Sequence, residues 1–237
     1  MALYAIGDLH LSLAVDKSME VFGPAWENYV NRIAESLSHL TEEDVLILAG
    51  DTSWGMNLRE AEADFRFLDR FPCRKYLLKG NHDYWWTTAA KFHAFCADKG
   101  LTTLELLHNN CHVYGEYALC GTRGWFWEEE QKPQNAKVLS REVGRLETSL
   151  QAAGERPIFC FLHYPPLYQG YQCPEILAVL EKYQVKRCYY GHLHGPTIKR
   201  RMEGSWRGIS FSPSFLNLLI YLLKLSGVIP IVLLIIL

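Results

Sequence analysis

The feature that most constrains this chain is a series of short apolar runs, each ending in residues that can do chemistry. Leu3-Tyr4-Ala5-Ile6 leads into Gly7-Asp8-Leu9-His10, Val45-Leu46-Ile47-Leu48 into Gly50-Asp51, and Tyr76-Leu77-Leu78 into Gly80-Asn81-His82-Asp83. Ile158–Leu162 runs into His163, and Arg187–Tyr190 into Gly191-His192-Leu193-His194. Gly-Asn alone is ordinary turn punctuation. Between the runs lie stretches of helical period. Trp26, Tyr29, Val30, Ile33, Ala34, Leu37 and Leu40 recur three and four apart in a helix starting at Pro24. Leu58–Leu68, a segment capped by Thr87 or Thr88 and running to Lys99, Asn135–Ala153 and Pro174–Tyr183 are the other helical segments, with Gly100 placed to end the second of these. Thr102–Leu107, Cys111–Tyr114 and Tyr117–Cys120 follow one another closely and read as antiparallel strands, and Trp206–Phe211 as a last strand. The pattern predicts one mixed α/β domain over residues 1–213, a length that chains of this class reach undivided.

In an open α/β sheet, ligands collect beyond the carboxyl ends of the strands, and that is where these polar residues fall. Residues two apart in an extended segment point the same way, so Asp8/His10 and His192/His194 each present two groups to one side. Glycines before Asp8, Asp51, Asn81 and His192 permit the turns and close approaches that converging loops need. The set mixes carboxylate, imidazole and amide oxygen. That suits a pair of catalytic divalent metals better than a thiolate-rich structural zinc site. Singly the elements are weak, apart from the moderately specific His192-x-His194 between glycines; five in order, each at a strand end, are specific.

The elements Gly-Asp8-Leu-His10, Gly-Asp51, Gly-Asn81-His82-Asp83, His163 and Gly-His192-Leu-His194 resemble those of the calcineurin-like metallophosphoesterases, in the branch of bacterial phosphohydrolases. The resemblance implies a four-layered α/β/β/α sandwich with a dinuclear metal site at one sheet edge. It also implies that Asp8, His10, Asp51 and His194 bind one ion and Asp51, Asn81, His163 and His192 the other. Asp51 is then the bridge, and the two ions (manganese, iron or zinc) activate a hydroxide and neutralise phosphoryl oxygens. On this reading His82 assists the leaving group as general acid or as hydrogen-bond donor to its oxygen, and Asp83 orients its imidazole or raises its pKa. Many relatives carry a second aspartate three residues after the bridging one, sometimes with an arginine beyond it. Here the segment is Asp51-Thr52-Ser53-Trp54-Gly55, so Arg123 is the candidate cation for the phosphate. Trp54, Trp85, Trp86, Trp125, Trp127, Tyr164, Tyr168 and Tyr171 crowd the same loops, to stack on substrate or to pack loops together.

The formal charge is −2, so no general basic field exists to hold nucleic acid, and the expected partner is a phosphate ester. Seven cysteines without C-x-x-C spacing, most of them inside apolar runs, read as reduced buried thiols. The opening MALYAIGDLH has neither a basic start nor a long apolar core, so a cytoplasmic protein is expected. From Phe215 to Leu237 the chain is almost pure hydrocarbon, interrupted by Lys224 and Pro230. As a helix it would span about 34 Å at ~1.5 Å per residue, enough to cross a bilayer core. It reads either as a membrane anchor at residues 214–237 or as a shifted reading frame replacing a last strand. Two rivals to an active phosphoesterase are a metal-free scaffold on the same fold and a membrane-associated hydrolase of lipid-linked pyrophosphates. The first should have lost ligands, and the second should carry arginine in place of His82.

Overall fold

The computed structural model describes residues 1–125, 133–214, 221–225 and 232–235. It divides into two compact units, Met1–Leu106 with Ser214–Leu237, and Leu107–Pro213. In the first, β1 (Leu3–Ile6), β2 (Val45–Leu48), β3 (Arg74–Leu77) and β4 (Leu104–Leu106) are parallel neighbours. They are linked by α1 (Tyr29–Leu37), α2 (Glu62–Asp69) and α3 (Ala89–Lys99). Alternate strand positions (Ile6, Leu46, Leu48, Leu77, Leu104, Leu106) pack with Ile33 and Leu37 of α1, Phe65 and Leu68 of α2, and Phe92 and Cys96 of α3 in one cluster. The intervening Leu3, Ala5 and Ile47 are buried too, and a strand buried on both faces reads as an unbroken apolar run. Phe65 is fully buried with its ring edge-on to Trp85 at 4.8 Å and to Phe92 at 5.8 Å. Burying such a side chain contributes about 1.5–3 kcal/mol.

The second unit is built around a sheet of order β11-β12-β10-β7-β6-β5. Its strands are β5 (Cys111–Tyr114), β6 (Tyr117–Thr122), β7 (Ile158–Leu162), β10 (Arg187–Tyr190), β11 (Gly204–Trp206) and β12 (Ile209–Pro213). β6, β7, β10 and β12 are parallel, and the edge strands β5 and β11 are antiparallel to their neighbours. Helix α4 (Pro133–Gln151) connects β6 to β7. Between β7 and β10 come the small hairpin β8 (Leu167–Tyr168) and β9 (Tyr171–Gln172), then α5 (Pro174–Lys182).

The mixed α/β class is as expected; four local readings change. Asn28 takes a left-handed conformation (φ 53°), so Pro24–Trp26 forms a separate 3-10 turn and α1 begins only at Tyr29. Asparagine is among the few residues that visit that region readily. The strand at Thr102–Leu107 is parallel to β3 because α3 carries the chain back across the sheet; of these three strands, β5 and β6 alone pair antiparallel. Trp206–Phe211 is two strands, turned at Arg207 (φ 46°) and Gly208 (φ 80°), the paired left-handed geometry of a tight hairpin. Finally, the described parts of the hydrocarbon tail are strands. β13 (Tyr221–Leu225) pairs antiparallel with β1, and β14 (Val232–Ile235) with β13. An edge at β1 offers a row of backbone groups, and an apolar segment next to it satisfies them by pairing. Among the described residues no helix is long and apolar enough to cross a membrane.

Candidate metal centre

In the first unit the loops after β1, β2 and β3 are stitched together through the backbone. Asp8 N–H donates to Gly50 O at 2.9 Å, His10 N–H to Asp51 O at 2.9 Å, and Trp54 N–H to Leu11 O at 2.8 Å. Asp8 and His10 do not face one way by extension, as two-residue spacing suggested. Both are left-handed (φ 59° and 47°), as are Asp51 (φ 53°) and, in the second unit, His192 (φ 72°). They make up four of the eight left-handed non-glycine residues described, so backbone strain gathers on the expected ligands, as it does at functional sites. Gly80 serves by close approach: a Cβ there would lie 2.0 Å from Asp51 Oδ1. Asp51 Oδ1 also accepts the His82 N–H at 2.7 Å.

Asp8, His10 and Asp51 are all at most 2% exposed. A ligand atom of Asp8 lies within 4.8 Å of one on His10 and within 4.8 Å of one on Asp51. His10 Nε2 is 3.8 Å from Asp51 Oδ2, too far for a hydrogen bond and close enough to share a cation. Burial pushes the Asp51 carboxyl up to about 6, and the His82 N–H partly offsets this. A buried carboxylate of this kind needs a compensating positive charge. The oxygen and nitrogen donors therefore fit divalent metal ions.

Asp83 does not do what was expected of it. Its Oδ2 accepts from Asp51 N at 2.8 Å and Gly80 N at 2.7 Å; its Oδ1 accepts from Thr52 N at 2.8 Å, Ser53 N at 3.3 Å and Trp85 Nε1 at 2.8 Å. Both oxygens are thus spent on holding two loops together, and the His82 ring is not among their partners. Burial, with the neighbouring Asp51, pushes the Asp83 carboxyl up, while the N–H groups of Gly80 and Thr52 pull it back. Beside the His82 ring stand Tyr84, whose hydroxyl is 3.4 Å from Nδ1, and Trp54, with ring centroids 4.6 Å apart. Trp54 also stacks on His10 at 4.9 Å and carries Lys17 Nζ 5.4 Å from its ring. Trp54 therefore braces two histidines, and Trp85 is a buried anchor for Asp83. Asp64 was not anticipated: fully buried, it accepts from Leu13 N at 2.8 Å and from Ser53 Oγ, fixing the loops after β1 and β2 from beneath. An acid on α2 that serves a serine in a preceding loop leaves no periodic signal in the sequence.

In the second unit, His163 follows β7 and His192 follows β10, with ring centroids 5.2 Å apart. Gly191 N–H reaches back to Leu162 O and His163 O, which ties the two strand ends together. Tyr164 packs on both rings, at 5.1 and 4.6 Å. His194 sits just before a 3-10 turn, and burial lowers its pKa. Arg123 leaves β6 as expected, but its guanidinium is 3.5 Å from Glu142, a buried acid on α4 that also pairs with Arg145 and Thr122. Tyr168 and Tyr171 stack on each other at 4.8 Å, and Tyr171 Oη donates to Trp125 O, so these aromatics pack loops. Trp127 lies outside the described residues. A cavity of about 620 Å³ opens at the opposite ends of β6, β7 and β10, lined by Arg156, Lys182, Lys186 and Arg187. Lys182 lies in the last turn of α5, where the helix dipole favours cations, so part of this charge has a structural reason.

A family model described as calcineurin-like phosphoesterase matches residues 1–196. Comparison with curated proteins gives no match. Among solved structures, TT1561 of Thermus thermophilus is 14% identical with a TM-score of 0.57, over 94% of this chain and 93% of that one. A protein of unknown function from Aquifex aeolicus, AQ665, is 15% identical with a TM-score of 0.43, over 90% of this chain and 89% of that one. At such identity the likeness to TT1561 speaks for the fold alone.

Proposed function

Because the chain belongs to the calcineurin-like phosphoesterase family, we propose that it hydrolyses phosphate esters at a dinuclear metal site. Asp8, His10, Asp51 and His194 are to hold one divalent ion, and Asp51, Asn81, His163 and His192 the other. When bound, such a pair activates water and neutralises the phosphoryl oxygens. The observation that carries the reading is the buried Asp8, His10 and Asp51 group, whose ligand atoms crowd together on strained loops. The chain's own residues divide the remaining work. His82, half-buried and held at its backbone by Asp51, donates a proton to the departing oxygen. Asp83 acts one step away, by fixing the Asp51 and Gly80 backbone. Arg123, whose guanidinium lies 6.0 Å from the Tyr164 ring and shares its charge with Glu142, and Tyr164 are to bind the phosphate.

His82→Ala tests the assignment. The variant is expected to retain both metals and to lose roughly 10²–10⁴ in kcat. An alkyl phosphate should suffer most and a nitrophenyl phosphate least, because a nitrophenolate leaves without being protonated. Equal losses would remove the general-acid role, and loss of metal would mean that the ligand set is wrong. Purified wild type free of metal and inactive across a panel of esters would instead favour the scaffold reading.

A further inference from the structure

The second sheet lines up cysteines on neighbouring strands. Cys111 of β5 is in register with Cys120 of β6, Cys120 with Cys160 of β7, and Cys160 with Cys188 of β10. Residues in register share a face, so the four thiols form a row. Cys120, Cys160 and Cys188 are buried, and Cys111 is the half-buried end.

The first pair differs in kind from the others. β5 and β6 are joined by the two-residue turn Gly115-Glu116, with Tyr114 opposite Tyr117 and Gly115 left-handed (φ 58°). In a hairpin of this type the pair beside the turn is hydrogen-bonded, and bonded and non-bonded pairs then alternate. Three pairs further on, Cys111 and Cys120 therefore form a non-bonded pair, the type in which side chains approach most closely. Such pairs hold their Cα atoms ~4.5 Å apart, inside the ~4.4–6.8 Å range that a disulfide accepts. Carbonyls at the end of α4 hold both sulfurs in place: Cys111 Sγ is 3.1 Å from Ala152 O, and Cys120 Sγ is 3.3 Å from Ser149 O.

We propose that Cys111 and Cys120 are a peroxide-responsive pair that closes to a cross-strand disulfide. Peroxide oxidises the accessible Cys111 thiol to a sulfenic acid with release of one water. The Cys120 sulfur then attacks it, forming the S–S bond and releasing a second water. Cys111 is the half-buried sulfur and Cys120 the buried one, so Cys111 meets the oxidant and Cys120, beside it across the strand pair, resolves. The bond ties the edge strand β5 to β6, the strand that delivers Arg123.

The test treats the full-length protein with hydrogen peroxide and counts thiols in denaturant. Wild type is expected to lose two of its seven thiols, to fall by about 2 mass units, and to recover both with dithiothreitol. Its peptide map should join Cys111 to Cys120. Cys120→Ser should stop at a sulfenic acid on Cys111 that dimedone traps, and Cys111→Ser should keep every remaining thiol over the same exposure. If Cys120→Ser does not fold, the Cys111→Ser arm and the map decide alone. Seven thiols surviving in wild type, loss persisting in Cys111→Ser, or a map joining Cys160 to Cys188 would each overturn the proposal.

Discussion

Asp83→Asn separates two roles for a residue that stands beside the proposed general acid. The substitution keeps volume and shape but replaces one carboxylate oxygen with an amide NH2. In the native arrangement Oδ2 accepts two N–H groups and Oδ1 accepts three. Whichever way the amide turns, at least two buried donors face another donor. Hydrogen bonds to a charged group are worth about 1.5–3 kcal/mol each, so losing the smaller set costs about 3–6 kcal/mol. That is a large part of the ~5–15 kcal/mol that holds a domain together. At roughly 2–4 °C per kcal/mol for a chain of this size, Tm should drop on the order of 10–20 °C. Thermal unfolding followed by circular dichroism measures this, with metal content determined on the same preparations. Metal affinity should fall as well, since the Asp51 and Gly80 backbone positions are the ones released. His82→Ala supplies the contrast, because that variant should unfold within about 1 °C of wild type, as a half-exposed surface change does. An Asp83→Asn protein with wild-type Tm and metal content, but with a turnover loss graded by leaving group, would refute this reasoning. It would return Asp83 to the role of orienting His82.

Two further substitutions probe the first unit. Gly80→Ala forces a methyl group against Asp51 Oδ1, so metal binding should weaken at least tenfold by titration, while the apolar core is untouched; unchanged affinity would mean that the loop yields freely. Asp51→Asn removes the carboxylate assigned to both ions, and the purified variant should lose most of its metal and nearly all activity. Full metal content with near-normal turnover would show that Asp51 is not the bridge.

Much of the candidate site was legible in the order of residues, because strand ends in an α/β sheet are where side chains can converge. The five polar elements, the apolar runs before them and the Thr88 and Gly100 ends of α3 follow from local patterns, which act over a few residues. What stayed hidden depends on partners distant in sequence. The left-handed turns at Asp8, His10 and Asp51 come from cross-loop hydrogen bonds such as His10 N–H to Asp51 O, which no local propensity encodes. Asp83 looked catalytic by adjacency; only the fold brings five donors around it, four of them from the loops after β2 and β3 and one from Trp85. The tail reads as a helix by length and hydropathy, yet β13 pairs with β1 and β14 with β13, because the backbone edge offered there is a feature of the assembled sheet. Likewise the cysteines carry no spacing motif, and register alone sets Cys111 beside Cys120. Sequence therefore determined which chemical groups stand at the strand ends, since local pattern places them; tertiary structure decided which of those groups crowd together and which hold the loops, since that depends on hydrogen-bond partners supplied by remote segments.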